Sequence, residues 1–462
     1  VTSTRRAWLL AGAIASAGCA GPRAAARALT PREEAQVALQ RGDATRALEL
    51  LEPELGKRPD DLTLARLVAE AHVKAGTGDA LLSRLSTTQT AVASYQRGLV
   101  RFARAAEASG PAIGEFRRAV ELAPAEPEFH YRLGLALLES EHSEDARAAL
   151  EQAVRLAPER AGWALPLAKA RARLGDHRGA VAALRTVVLG TPSAAEVKTA
   201  IALMDQLSDP FAAFPSAARA RLEQAMQWLQ QADVPQQAIV ELEQILRDYP
   251  DLAVVHALLG LAYDRLDDAG RAVDEFKRAI ELDPKDGRVH LYLAELYQAR
   301  QRPRNALEHY REAVERNPVL ADAWVRLGDL ALERSDLAAA RQAFEVVARL
   351  RPDEPSAHGK LALVLQLEGD WPAADRELRG VLEQQPDNLE FVLRLGVLHT
   401  ERFTRAKTAA ERDEAAREAT RWLQQVLDAQ PENALASRAL DRLKAGTPGA
   451  QPGRKPATLG QP

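Results

Sequence analysis

The sequence predicts an all-α protein built as a solenoid of stacked helical hairpins, and three observations carry that. Prolines keep one register at Pro124, Pro158 and Pro192 and again at Pro250, Pro284, Pro318, Pro352 and Pro386, 34 residues apart within each run. Between them, apolar residues return every three or four positions, which gives two amphipathic helices per unit. Small residues recur at fixed offsets in successive units. A fixed period of this length marks an array in which each unit buries its apolar face against its neighbours. With Pro59 and Pro431 the prolines close about ten hairpins.

Each repeated position has a physical reason, counting from the first residue of a unit. Position eight holds Gly134, Ala168, Gly260, Ala294, Gly328, Ala362 and Gly396, and position twenty holds Ala146, Ala180, Ala238, Ala272, Ala306, Ala340 and Ala374. Glycine inside a helix costs about 1 kcal/mol relative to alanine, a loss offset only where two helices must approach closely. Phe116, Phe276, Tyr310 and Phe344 then fill the space toward the neighbouring unit. The closing proline cannot continue a helix and disfavours helical geometry in the residue before it, so it ends the second helix.

Leu259-Gly260, Tyr263, Ala272, Phe276, Ala279 and Pro284 return as Leu293-Ala294, Tyr297, Ala306, Tyr310, Ala313 and Pro318. They return again as Trp324, Leu327-Gly328, Ala340, Phe344 and Pro352. This pattern resembles the tetratricopeptide repeat family and extends over residues 28 to 431. The resemblance implies a right-handed superhelix with a concave groove that binds other proteins, and no catalysis or cofactor.

The elements follow in chain order. Arg5-Arg6 and the apolar run Ala7 to Ala17 read as a signal peptide over 1–18, too short for a membrane span of about 20 residues. Ser16-Ala17-Gly18 before Cys19, the single cysteine, resembles a bacterial lipobox, which implies a lipid on Cys19 and a lipidated linker over 19–27. Arg5 and Arg6 also resemble a twin-arginine export signal, with ordinary secretion the open alternative. By the lipobox resemblance, Ala20 in place of an aspartate after the cysteine implies the outer membrane, facing the periplasm. Residues 28–208 form an N-terminal array whose second unit loses its pattern around Gly76 to Ser94. Residues 209–218 are a joint marked by Asp209-Pro210-Phe211 and Phe214-Pro215. Residues 219–433 form a C-terminal array with an insert around Thr400 to Glu411, 434–445 a capping helix and 446–462 a disordered tail.

Charge and motifs exclude several classes. The formal net charge is −4, about −6 without Arg5 and Arg6, which argues against nucleic acid as partner. The chain has no HExxH, GxxxxGK[ST] or GxSxG motif and no paired cysteines. His130, His256, His290 and His358 share position four with Trp324, and His72 and His399 share position eleven. Equivalent helices stack about 8–10 Å apart, whereas zinc needs its ligand nitrogens at about 2.1 Å, so these histidines are packing residues.

By the resemblance, positions two, five, nine and twelve of the first helices line the groove. The candidates are Tyr131, Leu135, Leu261, Arg288, Leu291, Glu295, Val325, Asp329, Leu363, Leu393 and Val397. Apolar residues beside acidic ones suit an amphipathic helix or an extended peptide. The four asparagines, Asn305, Asn317, Asn388 and Asn433, lie in turns or second helices, which argues against a clamp for C-terminal carboxylates. The expected role is a scaffold lipoprotein of pilus, secretion or polysaccharide-export type machinery. A periplasmic holdase or a non-catalytic subunit of an envelope enzyme stays open.

Overall fold

The computed structural model describes residues 29–104, 110–209, 211, 214–230 and 235–445. The leader, Arg5, Arg6, Cys19 and the C-terminal tail lie outside them. The described residues form 24 α-helices and one 3-10 turn, with no strand among them. The hairpins are α1 (Pro31–Gln40) with α2 (Ala44–Lys57), α3 (Leu62–Lys74) with α4 (Gly78–Arg84), α5 (Ala91–Arg104) with α6 (Gly110–Leu122), and α7 (Pro127–Glu139) with α8 (Ser143–Leu156). Then α9 (Ala164–Arg173), entered through the 3-10 turn Ala161–Trp163, pairs with α10 (His177–Leu189), and α11 (Ala194–Leu207) stands single. The second run pairs α12 (Ser216–Gln230) with α13 (Pro235–Asp248), α14 (Ala253–Arg265) with α15 (Ala269–Leu282), and α16 (Gly287–Ala299) with α17 (Pro303–Arg316). It continues with α18 (Ala321–Glu333) and α19 (Leu337–Leu350), α20 (Pro355–Glu368) and α21 (Trp371–Gln384), and α22 (Leu389–Arg405) and α23 (Ala409–Ala429), before α24 (Ala434–Ala445).

Local sequence sets the ends of these helices. Asp43, Asp176, Asp268, Asp336 and Asp370 each cap a second helix by accepting a backbone N–H three residues on. The residue before the cap takes the left-handed conformation that so tight a turn demands. It is Gly42, Gly175 and Gly369 in three units, but Glu141, Asp267, Gln301 and Ser335 in four others. At the other end, α15, α17, α19 and α21 each stop two residues before the closing proline.

The small position-eight residues do bring the paired helices into contact. A Cβ on Gly260 or Gly328 would lie 2.6 Å from the ring of Phe276 or Phe344, and one on Gly134 or Gly396 would lie 2.5 Å from Leu150 or Leu423. Phe276 also meets Tyr292 of the next unit at 6.2 Å between ring centres. The repeat core is thus a continuous stack of aromatic and leucine side chains facing small ones.

Two features depart from the sequence expectation. The proline count gives about ten hairpins, and the described residues hold eleven. The stretch without pattern, Gly76 to Ser94, holds the short α4 as a degenerate second helix, and a full hairpin, α5 with α6, follows it; a Cβ on Gly98 would lie 2.6 Å from the Phe116 ring. Gly98 precedes Phe116 by 18 residues, whereas Gly260 precedes Phe276 by 16, so a longer connection puts the unit out of register. The second departure concerns the joint. One core takes in Val188 and Val197 together with Phe214 and residues as far on as Ala357, so apolar packing does not stop between the arrays.

Candidate partner-binding face

First helices of consecutive units touch one another at α7 and α9, α12 and α14, and α14 and α16. That closeness places them on the inner side of the curve, where equivalent elements converge. The inner face carries a graded set of side chains. Leu363 is 41% exposed and Leu367, one turn on in α20, is 38% exposed. Leu135, Leu261, Val325, Leu393 and Val397 are half-buried.

Other candidates are engaged within the chain. Leu291 is buried in the core. Tyr131 stacks flat on Trp163, with ring centres 4.4 Å apart, and Arg160 lies over the outer face of Trp163. Burial pushes the Tyr131 phenol up to about 12, against the nearby Arg132. Arg288 binds Asp286 through Nε at 2.9 Å and donates to the Ser208 carbonyl at 2.8 Å.

The acidic candidates divide in the same way. Both Asp329 oxygens accept from Lys360 Nζ at 2.7 Å. Glu295 has only a distant partner, Arg326 at 3.6 Å. Burial raises its carboxyl above the usual range; Arg326 pulls it down, and Asp322 and Asp264 add to the rise. A cationic side chain brought to this face would find Glu295 loosely paired, whereas Asp329 is already held by Lys360.

The histidines take a shared structural role that the sequence shows only in outline. His130, His256 and His358 each place Nε2 against the carbonyl of the proline closing the unit before, Pro124 at 2.8 Å, Pro250 at 3.3 Å and Pro352 at 3.0 Å. Trp324 makes the same bond to Pro318 through its indole N–H at 2.9 Å. The second ring nitrogen of His256 and His358 meets Glu275 and Glu377. His72 bonds Glu52 at 3.0 Å and His399 bonds Asp375 at 2.8 Å. Among the described residues no cluster of three or more His, Cys, Asp or Glu could hold a metal ion.

His290 breaks the pattern. Arg316 Nε takes the Pro284 carbonyl at 2.6 Å, and His309 stands where other units have glutamate. The two histidines meet Nδ1 to Nδ1 at 3.1 Å, and buried His290 Nε2 has no partner. Burial, with Arg316 and His309 close by, lowers His290 to about 3; burial lowers His309 as well.

The tetratricopeptide repeat family matches residues 127–160, 253–286 and 291–355. The human protein O-mannosyl-transferase TMTC1 is 31% identical over 117 residues, 24% of this chain and 13% of that protein. Human RANBP2-like and GRIP domain-containing protein 8 is 28% identical over 152 residues, 31% of this chain and 9% of that protein. The chain therefore spans a small part of the length of the curated relatives it matches. Similar solved structures include YrrB, described as having an unusual peptide-binding site (18% identity, 43% of this chain and 97% of that one, TM-score 0.37), and Pseudomonas aeruginosa PilF (20% identity, 50% and 98%, TM-score 0.37).

Proposed function

The chain is a tetratricopeptide repeat protein, and from that premise we propose that it is a protein-interaction scaffold, held at a bacterial envelope membrane by a lipid on Cys19. The repeat fold is typically a non-catalytic support for other proteins. The observation that carries the binding role is the exposure of Leu363 and Leu367, one helical turn apart on the inner face. Solvated leucines at this spacing, beside half-buried Leu393 and Val397, offer the apolar strip on which an amphipathic helix or an extended peptide lies.

Replacing both leucines, Leu363→Asp with Leu367→Asp, should abolish partner recovery. The melting temperature should stay nearly unchanged, because neither side chain is buried. Undiminished recovery would refute this face as the binding surface.

The anchor rests on Ser16-Ala17-Gly18-Cys19 alone. No described helix is long and apolar enough to cross a membrane. Cys19→Ala should move the protein from the membrane to the soluble fraction, and continued membrane retention would sink the lipid anchor. The partners we infer are components of a pilus, secretion or polysaccharide-export machine assembled at that membrane.

A further inference from the structure

In a solenoid each unit touches its neighbours and little else. Among the described residues this chain departs from that rule where α10 and α11 pack against α17 and α19. Arg349 of α19 donates to the carbonyl of Val188 at 2.8 Å, across 161 residues of sequence, and also to the carbonyl of Gly190. Both carbonyls belong to the C-terminal end of α10. The Val188 oxygen is an orphan by composition, because the residue four positions on is Pro192, which has no N–H to give. A guanidinium at a helix C-terminus satisfies such oxygens and complements the helix dipole.

The same device occurs a second time. Arg288 of α16 donates to Ser208, the residue that caps the C-terminal end of α11. Where α10 meets α17, Arg185 pairs with Glu315 at 2.6 Å. Val188 and Val197 share one core with Val346, Val347 and Leu350 of α19, and Val319 packs against the cores of both arrays.

We propose that this contact is a latch: the two arrays are locked into one body by Arg349 and Arg288 capping α10 and α11. The latch, and not the covalent connection alone, sets the angle between the inner faces of the two arrays. It does not depend on which proteins those faces bind, and it stands if the partner face proves to be elsewhere.

The test uses the full chain with Cys19→Ala as background and cysteine probes at Arg185→Cys and Glu315→Cys. A short bis-maleimide should join the probes within one molecule. Adding Arg288→Glu and Arg349→Glu should reduce that yield by about tenfold or more, since three charged hydrogen bonds are lost. Small-angle scattering on the same variant should show a larger radius of gyration at unchanged helicity. If the double glutamate variant fails to fold, Arg288→Met with Arg349→Met, which removes the donors without reversing charge, is read in its place. Arg278→Glu, on the outer side of α15, should leave the yield unchanged. Equal cross-linking with and without the arginines, or none in the parent, would overturn the latch.

Discussion

Helices α15 and α19 occupy the same place in their units and carry nearly the same inward residues, Ala272, Phe276 and Ala279 against Ala340, Phe344 and Val347. All six are essentially inaccessible to solvent. Their outward faces differ. Arg278 is exposed and pairs with Asp251 and Glu281, whereas the equivalent Val346 is fully buried. The repeat pattern fixes how a unit stacks on the next. The positions outside the pattern decide what else a unit touches, and in α19 they meet the far array.

That comparison can be broken most sharply by one substitution made twice. Val346→Gln should lower stability by about 2–4 kcal/mol, because it places an unpaired amide in a core. Arg278→Gln should stay within about 0.5 kcal/mol, as a solvated surface change. Urea denaturation of the two variants side by side is the measurement, and equal effects would show that α19 has no second contact surface.

Glycine offers a second contrast. A Cβ on Gly328 would lie 2.6 Å from the Phe344 ring, whereas a Cβ on Gly380, inside α21, would meet nothing within 4 Å. Gly328→Ala should cost about 1–3 kcal/mol by overpacking. Gly380→Ala should gain about 0.5–1 kcal/mol by stiffening the unfolded chain. Similar signs for both would mean that close approach is not what selects glycine at position eight.

The histidine pairs give the smallest effect and the most specific one. His290 is depressed to about 3 from an ordinary 6.5, so the unfolded chain binds the proton that the folded chain refuses. Stability from this unit is complete above pH 6.5 and declines as pH falls toward 3. His358 runs the other way. Its bond to Glu377 raises it, so its contribution is complete below 6.5 and is lost as pH rises through the raised value. His309→Glu should give His290 the partner that His358 has. It should remove on the order of 1 kcal/mol of the destabilisation expected between pH 7.5 and pH 4.5, a figure kept small because His309 is only half-buried. An unchanged acid slope in urea titrations at the two pH values would refute the assignment.

Much of this architecture is legible in the sequence because it is periodic. The proline register, the glycine and alanine positions and the aromatic partners mark most of the units. Helix α5 escaped because its connection to α6 puts Gly98 out of step with Phe116. The Arg-Gly pair at 97–98 ahead of Ala112, Phe116 and Pro124 was the available signal. The contact between arrays is invisible to periodicity, since it joins residues 161 apart that belong to no shared pattern. The Val346-Val347 doublet, where other units place Arg278 or Glu312 first, is its one trace. For the inner face, position numbers name the side chains that point there. They do not separate Leu363, left in solvent, from Leu291, taken into the core, because that depends on the neighbouring units.

The central claim is that this chain meets its partners through the inner face of its first helices. The most direct test is a photo-crosslinking residue placed at Leu363 in one variant and at Arg278 in another, each expressed as the full chain in its native cells. A short, reproducible set of envelope proteins captured from Leu363 and absent from Arg278 is the result predicted here. The same set captured from both sites, or from Arg278 alone, would contradict it.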